Sequence, residues 1–80
     1  MITGLQIRAA RAMLGWSAEQ TGDHVSVSRR TVERLEQANG VPDSRTSTLL
    51  ALKSAFEAAG IEFIGTPEDG PGVRLRSKPD

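Results

Sequence analysis

Four charged residues near the middle of the chain have the types and spacing that suit an anionic partner: Arg29, Arg30, Glu33 and Arg34. On a helix with about 100° per residue they share one face, and Val32 and Leu35 lie opposite. The arginines crowd the start of this predicted helix, where the helix dipole disfavours cations, so an external anion would relieve them. Guanidinium groups fit phosphates and guanine edges. The alternative interpretation is a solvated basic face.

Composition limits the class of protein. The chain has 80 residues, ten basic and ten acidic side chains, no cysteine and a single histidine, His24. A chain of this length forms one small domain. The lack of cysteine excludes disulfides and thiolate metal sites. Zero net charge argues against a generally basic nucleic-acid binder, but a local basic patch remains compatible with it.

The residue pattern predicts no enzyme, no metal site, no cofactor and no small-molecule ligand. His24 falls on the polar side of a predicted short helix and is interpreted as a solvated residue. Neither paired carboxylates in a cleft nor a glycine-rich phosphate loop is evident. Because the first residues lack an apolar signal core and the chain lacks a membrane-length apolar run, we expect a cytoplasmic protein.

Local signals predict a mainly α fold of four helices followed by a β-hairpin. Thr3, Ser17 and Ser28 are N-cap residues for three predicted helices, at about 4–14, from 18 to 24 or 25, and at about 29–37. A fourth helix is predicted from about residue 45 or 46 to 59, capped by Asp43 or Ser44. After Gly60 the apolar period changes to two, which predicts two strands around a loop at 65–72.

The second and third predicted helices follow one another closely, across Val25-Ser26-Val27, as in a helix-turn-helix. The stretch GWSAEQTGDHVSVSRRTVERLEQ resembles the Cro and phage-repressor type of helix-turn-helix, the XRE family. The resemblance covers about residues 3–56. The matching residues are Ser17, Glu19, Val27, Ser28, Thr31, Val32, Leu35 and Glu36, with Ile7, Arg8 and Arg11 in the first helix.

This resemblance implies a four-helix, repressor-like domain that binds double-stranded DNA in the major groove. It places Arg29, Arg30 and Arg34 against base edges. Glu33 either accepts from a cytosine amine or holds an arginine fork in place. The resemblance also implies a structural ion pair between Arg11 and Glu36, with a phosphate contact by Arg11 as the alternative. Predicted phosphate contacts lie at helix starts: Ser17, Ser28, Ser44, Arg45 and Thr46.

Three residues of the motif depart from the family pattern, which usually has leucine, alanine and glycine at these positions: Thr21, Gly22 and Ser26. Thr21 is tolerable if its hydroxyl bonds to a carbonyl one turn earlier. We expect Gly22→Ala to stabilise the second helix, since glycine costs about 1 kcal/mol relative to alanine. Ser26 is less suited than glycine to a positive φ.

The domain organisation is predicted as a helix-turn-helix domain at 1–60, a hairpin at 61–76 and a flexible tail at 77–80. A lone hairpin is marginal in water and leaves two strand edges unpaired, so a second copy is the expected partner. The alternative is a monomer in which the hairpin only seals the core. One face of the hairpin is expected to pack on the fourth helix through Phe56, and it comprises Ile61, Phe63, Val73 and Leu75. The predicted dimer interface comprises Ile61, Phe63, Ile64, Val73 and Leu75.

Two functional hypotheses follow. The first is a sequence-specific transcriptional regulator, a repressor that occupies an inverted-repeat operator as a homodimer. The second is an antitoxin or adaptor whose main role is to bind a protein partner, with DNA binding serving autoregulation. Salt dependence separates them, because DNA binding releases phosphate counterions and weakens steeply with salt.

Overall fold

The computed structural model describes residues 1–76. It contains four helices and two strands: α1 (Gly4–Leu14), α2 (Ala18–Val25), α3 (Arg29–Glu36), α4 (Thr46–Ala58), β1 (Ile61–Thr66) and β2 (Asp69–Leu75). The prediction of a mainly α fold with a C-terminal hairpin is confirmed. The tail predicted at 77–80 lies outside the described residues.

The predicted caps of the first three helices form as expected. Thr3 and Ser17 open α1 and α2 with reciprocal capping boxes, in which the glutamine three residues later bonds back to the cap's own N–H. Ser28 opens α3 and accepts from the N–H of Thr31. The predicted cap of α4 is wrong. Arg45 occupies the N-cap position of α4 and forms no side-chain hydrogen bond there. Its φ of −63° and ψ of 138° are those of extended backbone, so the helix begins after Arg45 and not after Asp43 or Ser44.

The hydrophobic core joins all four helices and the start of the hairpin. Its buried residues are Ile2, Ile7, Ala10, Ala18, Val32, Leu35, Leu49, Leu52, Phe56 and Ile61. Phe56 is fully buried on α4 and its ring lies 5.6 Å from Trp16 and 6.2 Å from Phe63. The aromatic rings therefore connect the junction between α1 and α2 to the hairpin across α4.

The hairpin is longer and its turn tighter than the sequence predicts. The loop predicted at 65–72 is wrong, because both strands continue into it and leave a two-residue turn at Pro67 and Glu68. Ile61 pairs with Leu75 and Phe63 with Val73, and the register shifts between Ile64 and Thr66. Gly65 and Gly70 have positive φ near this irregularity, which explains why a glycine-rich segment can still form strand.

Candidate nucleic-acid interface

Helix α3 presents a charged outer face and an apolar inner face. Val32 and Leu35 are fully buried in the core, and they fix which side of the helix faces solvent. The opposite side carries the four residues predicted to contact bases, all of them exposed: Arg29, Arg30, Glu33 and Arg34. An eight-residue helix with this arrangement can lie in a groove of DNA with its charged side inward.

The three arginines of this face have different partners. The Nε of Arg29 lies 3.9 Å from a carboxylate oxygen of Glu33, one turn further along the helix. Arg34 donates to the main-chain carbonyl of Asp43 at 3.2 Å, which ties α3 to the loop before α4. Arg30 makes no ion pair or side-chain hydrogen bond with any residue between 1 and 76. All of its guanidinium donors are therefore open to an external acceptor.

The turn between α2 and α3 is held by small residues and one strained residue. The main-chain N–H of Val27 donates to the carbonyl of Gly22 at 3.0 Å. A Cβ added at Gly22 would overlap the carbonyl oxygen of Val27, so the expectation that alanine stabilises this site is wrong. Thr21 donates to the carbonyl of Ser17 at 2.9 Å, as predicted. Ser26 ends α2 in the left-handed region at φ 61°, where glycine would be unstrained.

The structure brings Arg11 and Glu36 together between α1 and α3. Nε and Nη2 of Arg11 donate to the two carboxylate oxygens of Glu36 at 2.7 and 2.9 Å, and Nη1 donates to the carbonyl of Trp16 at 3.2 Å. Glu36 is only 6% exposed and Arg11 26%. The hydrogen bonds to Glu36 raise the pKa of the Arg11 guanidinium above its ordinary value. This bidentate ion pair fixes the C-terminal end of α3, where Glu36 lies, against the rest of the domain.

The predicted phosphate contacts lie at the starts of three helices. Ser17 and Ser28 are exposed, and each hydroxyl is occupied by its own helix, accepting from Gln20 and Thr31. Arg45 and Thr46 are exposed at the start of α4, while Ser44 is half-buried. The free N–H groups of these first turns and the Arg45 guanidinium remain available to anionic oxygens.

Two contacts near the interface were missed by sequence reasoning. His24 is exposed, as predicted, but its ring stacks on Trp16 at 4.1 Å between centroids with a 12° tilt. The stack joins the C-terminal turn of α2 to Trp16, which lies two residues after the end of α1. Trp16 and His24 are eight residues apart, and the sequence does not reveal them as a pair because it does not show how Gly15 turns the chain.

Gln6 was also missed. It is 5% exposed, and its amide nitrogen donates to the main-chain carbonyls of Ile64 at 3.3 Å and Gly72 at 2.9 Å. Its amide oxygen completes the capping box of α1 by accepting from the N–H of Thr3 at 2.9 Å. The capping-box spacing from Thr3 to Gln6 is visible in the sequence, but a contact made 58 and 66 residues away is not.

The predicted dimer residues divide between the core and the surface. Ile61 is buried, and Phe63 and Val73 are half-buried against the core. Ile64 is 36% exposed, and Leu75, which was expected to pack inward, is 42% exposed. Leu75 is the last residue of β2, where the strand ends and its side chain is open to solvent. On the outer face, Glu62 accepts from Arg76, and this bond lowers the pKa of the carboxyl.

Residues 1–76 contain no group of three histidine, cysteine, aspartate or glutamate side chains that could hold a metal ion. None of the helices in this described part of the chain is both long and apolar enough to cross a membrane.

The comparison with protein families agrees with this geometry. A family model described as a helix-turn-helix domain matches residues 3–63, which includes all four helices and the first three residues of β1. The comparison with curated proteins gives no match. Since the family match covers most of the chain, this protein belongs to the helix-turn-helix domain family and is a DNA-binding regulator.

Proposed function

We propose that the protein is a sequence-specific transcriptional repressor of the Cro and phage-repressor type, which binds double-stranded DNA through the outer face of α3. The observation that carries the proposal is this face itself. A capped helix held by two buried residues and a bidentate ion pair presents four exposed charged side chains on one side. Arginine on such a face forms paired hydrogen bonds with guanine.

The arginines take separate roles in this proposal. Arg30 reads a guanine edge, because its donors are open within residues 1–76. Arg29 reads an adjacent base while Glu33 steadies its guanidinium, which favours the steering role of Glu33 over a contact with cytosine. Arg34 contacts DNA close to the α3–α4 loop, since its hydrogen bond to Asp43 holds it on that side.

The contacts to phosphate fix the register of α3 on the duplex. Ser17, Ser28, Ser44, Arg45 and Thr46 stand at the starts of α2, α3 and α4, where main-chain N–H groups lack intrahelical partners. Such contacts position the protein but do not specify sequence. They add a salt dependence that scales with the number of phosphates neutralised.

The protein acts as a homodimer joined through the hairpin. Ile64 and Leu75 are exposed apolar residues on strands that otherwise have no neighbouring strand within residues 1–76. Pro71 lacks an N–H and makes the edge of β2 a poor site for pairing, whereas β1 contains no proline. Pairing of β1 with β1 of a second copy gives an isologous interface.

A dimer explains how one short helix achieves specificity. Two copies of α3 related by a two-fold axis read two half-sites about 34–36 Å apart, so the operator is an inverted repeat. Bound across a promoter, the dimer represses by excluding polymerase, and this requires no activity other than DNA binding.

Footprinting on the DNA upstream of the protein's own gene tests the proposal. We expect two protected half-sites related by inverted symmetry, and binding that weakens steeply between low and moderate salt. Protection without sequence preference would contradict specific recognition. The competing role, an adaptor that mainly binds a protein partner through an apolar surface, predicts an interaction that responds little to salt.

A further inference from the structure

Helix α1 contacts α3 and the hairpin with different faces. Gly4 packs so closely on the end of α3 that an added Cβ would overlap the carbonyl oxygens of Leu35 and Ala38. Seven residues later, Arg11 forms its ion pair with Glu36. These two contacts are about 10 Å apart along α1, so they fix the angle between α1 and α3.

Gln6 projects from another side of α1, roughly 140° around the helix from Arg11. Its amide nitrogen donates to Ile64 and Gly72, which are paired across β1 and β2. This pair is the last before the register shifts toward the turn. A single buried amide thus holds both strands to the helix that also holds α3.

The two halves of the hairpin are attached to the domain by different means. The half next to α4 is held by the buried Ile61, by Phe63 against Phe56, and by the bond from the N–H of Arg76 to Gly60. In the half near the turn, every residue from 64 to 71 except Pro67 is exposed. Within residues 1–76, the hydrogen bonds that connect this half to the rest of the domain come from Gln6, one to Ile64 and one to Gly72, which is paired with Ile64.

We propose that Gln6 is a positioning residue that sets the half-site spacing of the operator, by fixing the outer half of the dimerisation hairpin relative to α3. This inference rests on the proposed function, since it requires a dimer formed by the hairpin. Ile64, the exposed apolar residue of that interface, is one of the two residues whose carbonyl Gln6 holds. With the amide in place, the two copies of α3 have one separation and one relative rotation.

The chain contains a matched control for the experiment. Gln20 stands in the capping box of α2 as Gln6 does in that of α1, and its amide oxygen accepts from the N–H of Ser17 at 2.8 Å. Within residues 1–76 its amide nitrogen has no hydrogen-bond partner. Glutamate can replace glutamine in a capping box, but its carboxylate cannot donate to a carbonyl. Both variants can therefore keep their capping boxes, but only Gln6→Glu loses hydrogen bonds to the hairpin.

The experiment measures affinity on duplexes that carry one half-site, or two as an inverted repeat with spacers of different length. The full chain is used, and each variant is first melted to show that it is folded. We expect the wild type and Gln20→Glu to prefer one spacer by about tenfold. Gln6→Glu should keep its affinity for the single half-site within about twofold and lose most of this preference. Gln6→Met, which lacks all three bonds, should behave in the same way.

A spacer preference retained in both Gln6 variants would overturn the assignment. Unfolding of both variants would also overturn it, because the amide would then support the whole domain instead of the hairpin. If the wild type binds a single half-site as well as any inverted repeat, the dimer fails and the role of Gln6 fails with it. Recognition of the half-site by α3 would still stand in that case.

Discussion

Glu36 is the buried acid that anchors α3, and its removal tests how much the domain depends on one ion pair. Glu36→Ala leaves the Arg11 guanidinium without its bidentate partner in a largely buried site. Breaking such a pair costs about 3–5 kcal/mol. A domain of this size buries only about 60% of its unfolded surface. We therefore expect thermal denaturation to show a protein largely unfolded at 37 °C.

Glu33→Ala is the matched control for this change. Glu33 is an acid on the same helix, is more than half exposed, and lies 3.9 Å from Arg29. Exposed ion pairs contribute about 0–1 kcal/mol to the free energy of unfolding, so the melting temperature of Glu33→Ala should differ from that of the wild type by a few degrees at most. Equal, small shifts in both variants would mean that the Arg11–Glu36 pair contributes no more than a surface pair.

The turn between α2 and α3 gives two substitutions with opposite expected signs. Ser26→Gly removes the strain of a non-glycine residue in the left-handed region. It should raise the free energy of unfolding by about 1 kcal/mol and the melting temperature by about 4–8 °C. Gly22→Ala should destabilise, because its Cβ would overlap the Val27 carbonyl and push α2 from the turn. Thermal melts of the two single variants measure both. A higher melting temperature for Gly22→Ala would show that the turn relaxes easily.

These residues show what a sequence can predict at this scale. Helix propensity correctly identifies Gly22 as costly in an isolated helix, but the propensity of a residue says nothing about a carbonyl that approaches from the next segment. The pairing of Arg11 with Glu36 was implied by family resemblance. The anchoring of the hairpin by Gln6 depends on packing across 66 residues and leaves no local pattern.

Among the elements, α4 is the helix that begins without a side-chain cap. Arg45 stands at the N-cap with no side-chain hydrogen bond, next to main-chain N–H groups that favour an acceptor. Arg45→Ser should stabilise the domain by about 1 kcal/mol. If Arg45 contacts phosphate, the same change weakens binding to all DNA sequences. In measurements on one preparation of Arg45→Ser, the melting temperature should therefore rise while the affinity for DNA falls.

Arg45→Ala separates the two effects, because it removes the cation without supplying a cap. It should weaken DNA binding as Arg45→Ser does and leave the melting temperature near that of the wild type. Unchanged DNA affinity in both variants would remove Arg45 from the interface.

The elements themselves could be predicted wherever a periodic apolar pattern is bounded by capping residues. That rule gave α1, α2 and α3 with Thr3, Ser17 and Ser28 as caps. It failed for the hairpin loop, since glycine and proline normally interrupt strands, whereas here the strands continue through Gly65 and Gly70 at a shift in register. It also misplaced the cap of α4, because Asp43 and Ser44 are preferred N-cap residues, whereas the helix begins after Arg45, which forms no side-chain cap.

At the scale of the whole molecule, the exposed residues of the hairpin decide the oligomeric state. Ile64→Glu places a charge in the proposed interface and should convert the dimer to a monomer in sedimentation at micromolar concentration. Affinity for an inverted repeat should then fall to that for a single half-site. Leu50→Glu is the control, because Leu50 is exposed on α4 outside the hairpin. If Ile64→Glu still sediments as the wild type does, this interface is wrong.

The central claim is that the outer face of α3 reads DNA sequence, and selection from a randomised duplex library tests it most directly. Wild type, Arg30→Ala and Arg45→Ala are compared at two salt concentrations. We predict that Arg30→Ala loses preference at particular base pairs, at a cost of about 1–3 kcal/mol for the preferred sequence. Arg45→Ala should keep every preference, weaken all sequences alike and reduce the salt slope by about one. Identical base preferences in the wild type and Arg30→Ala would contradict the account.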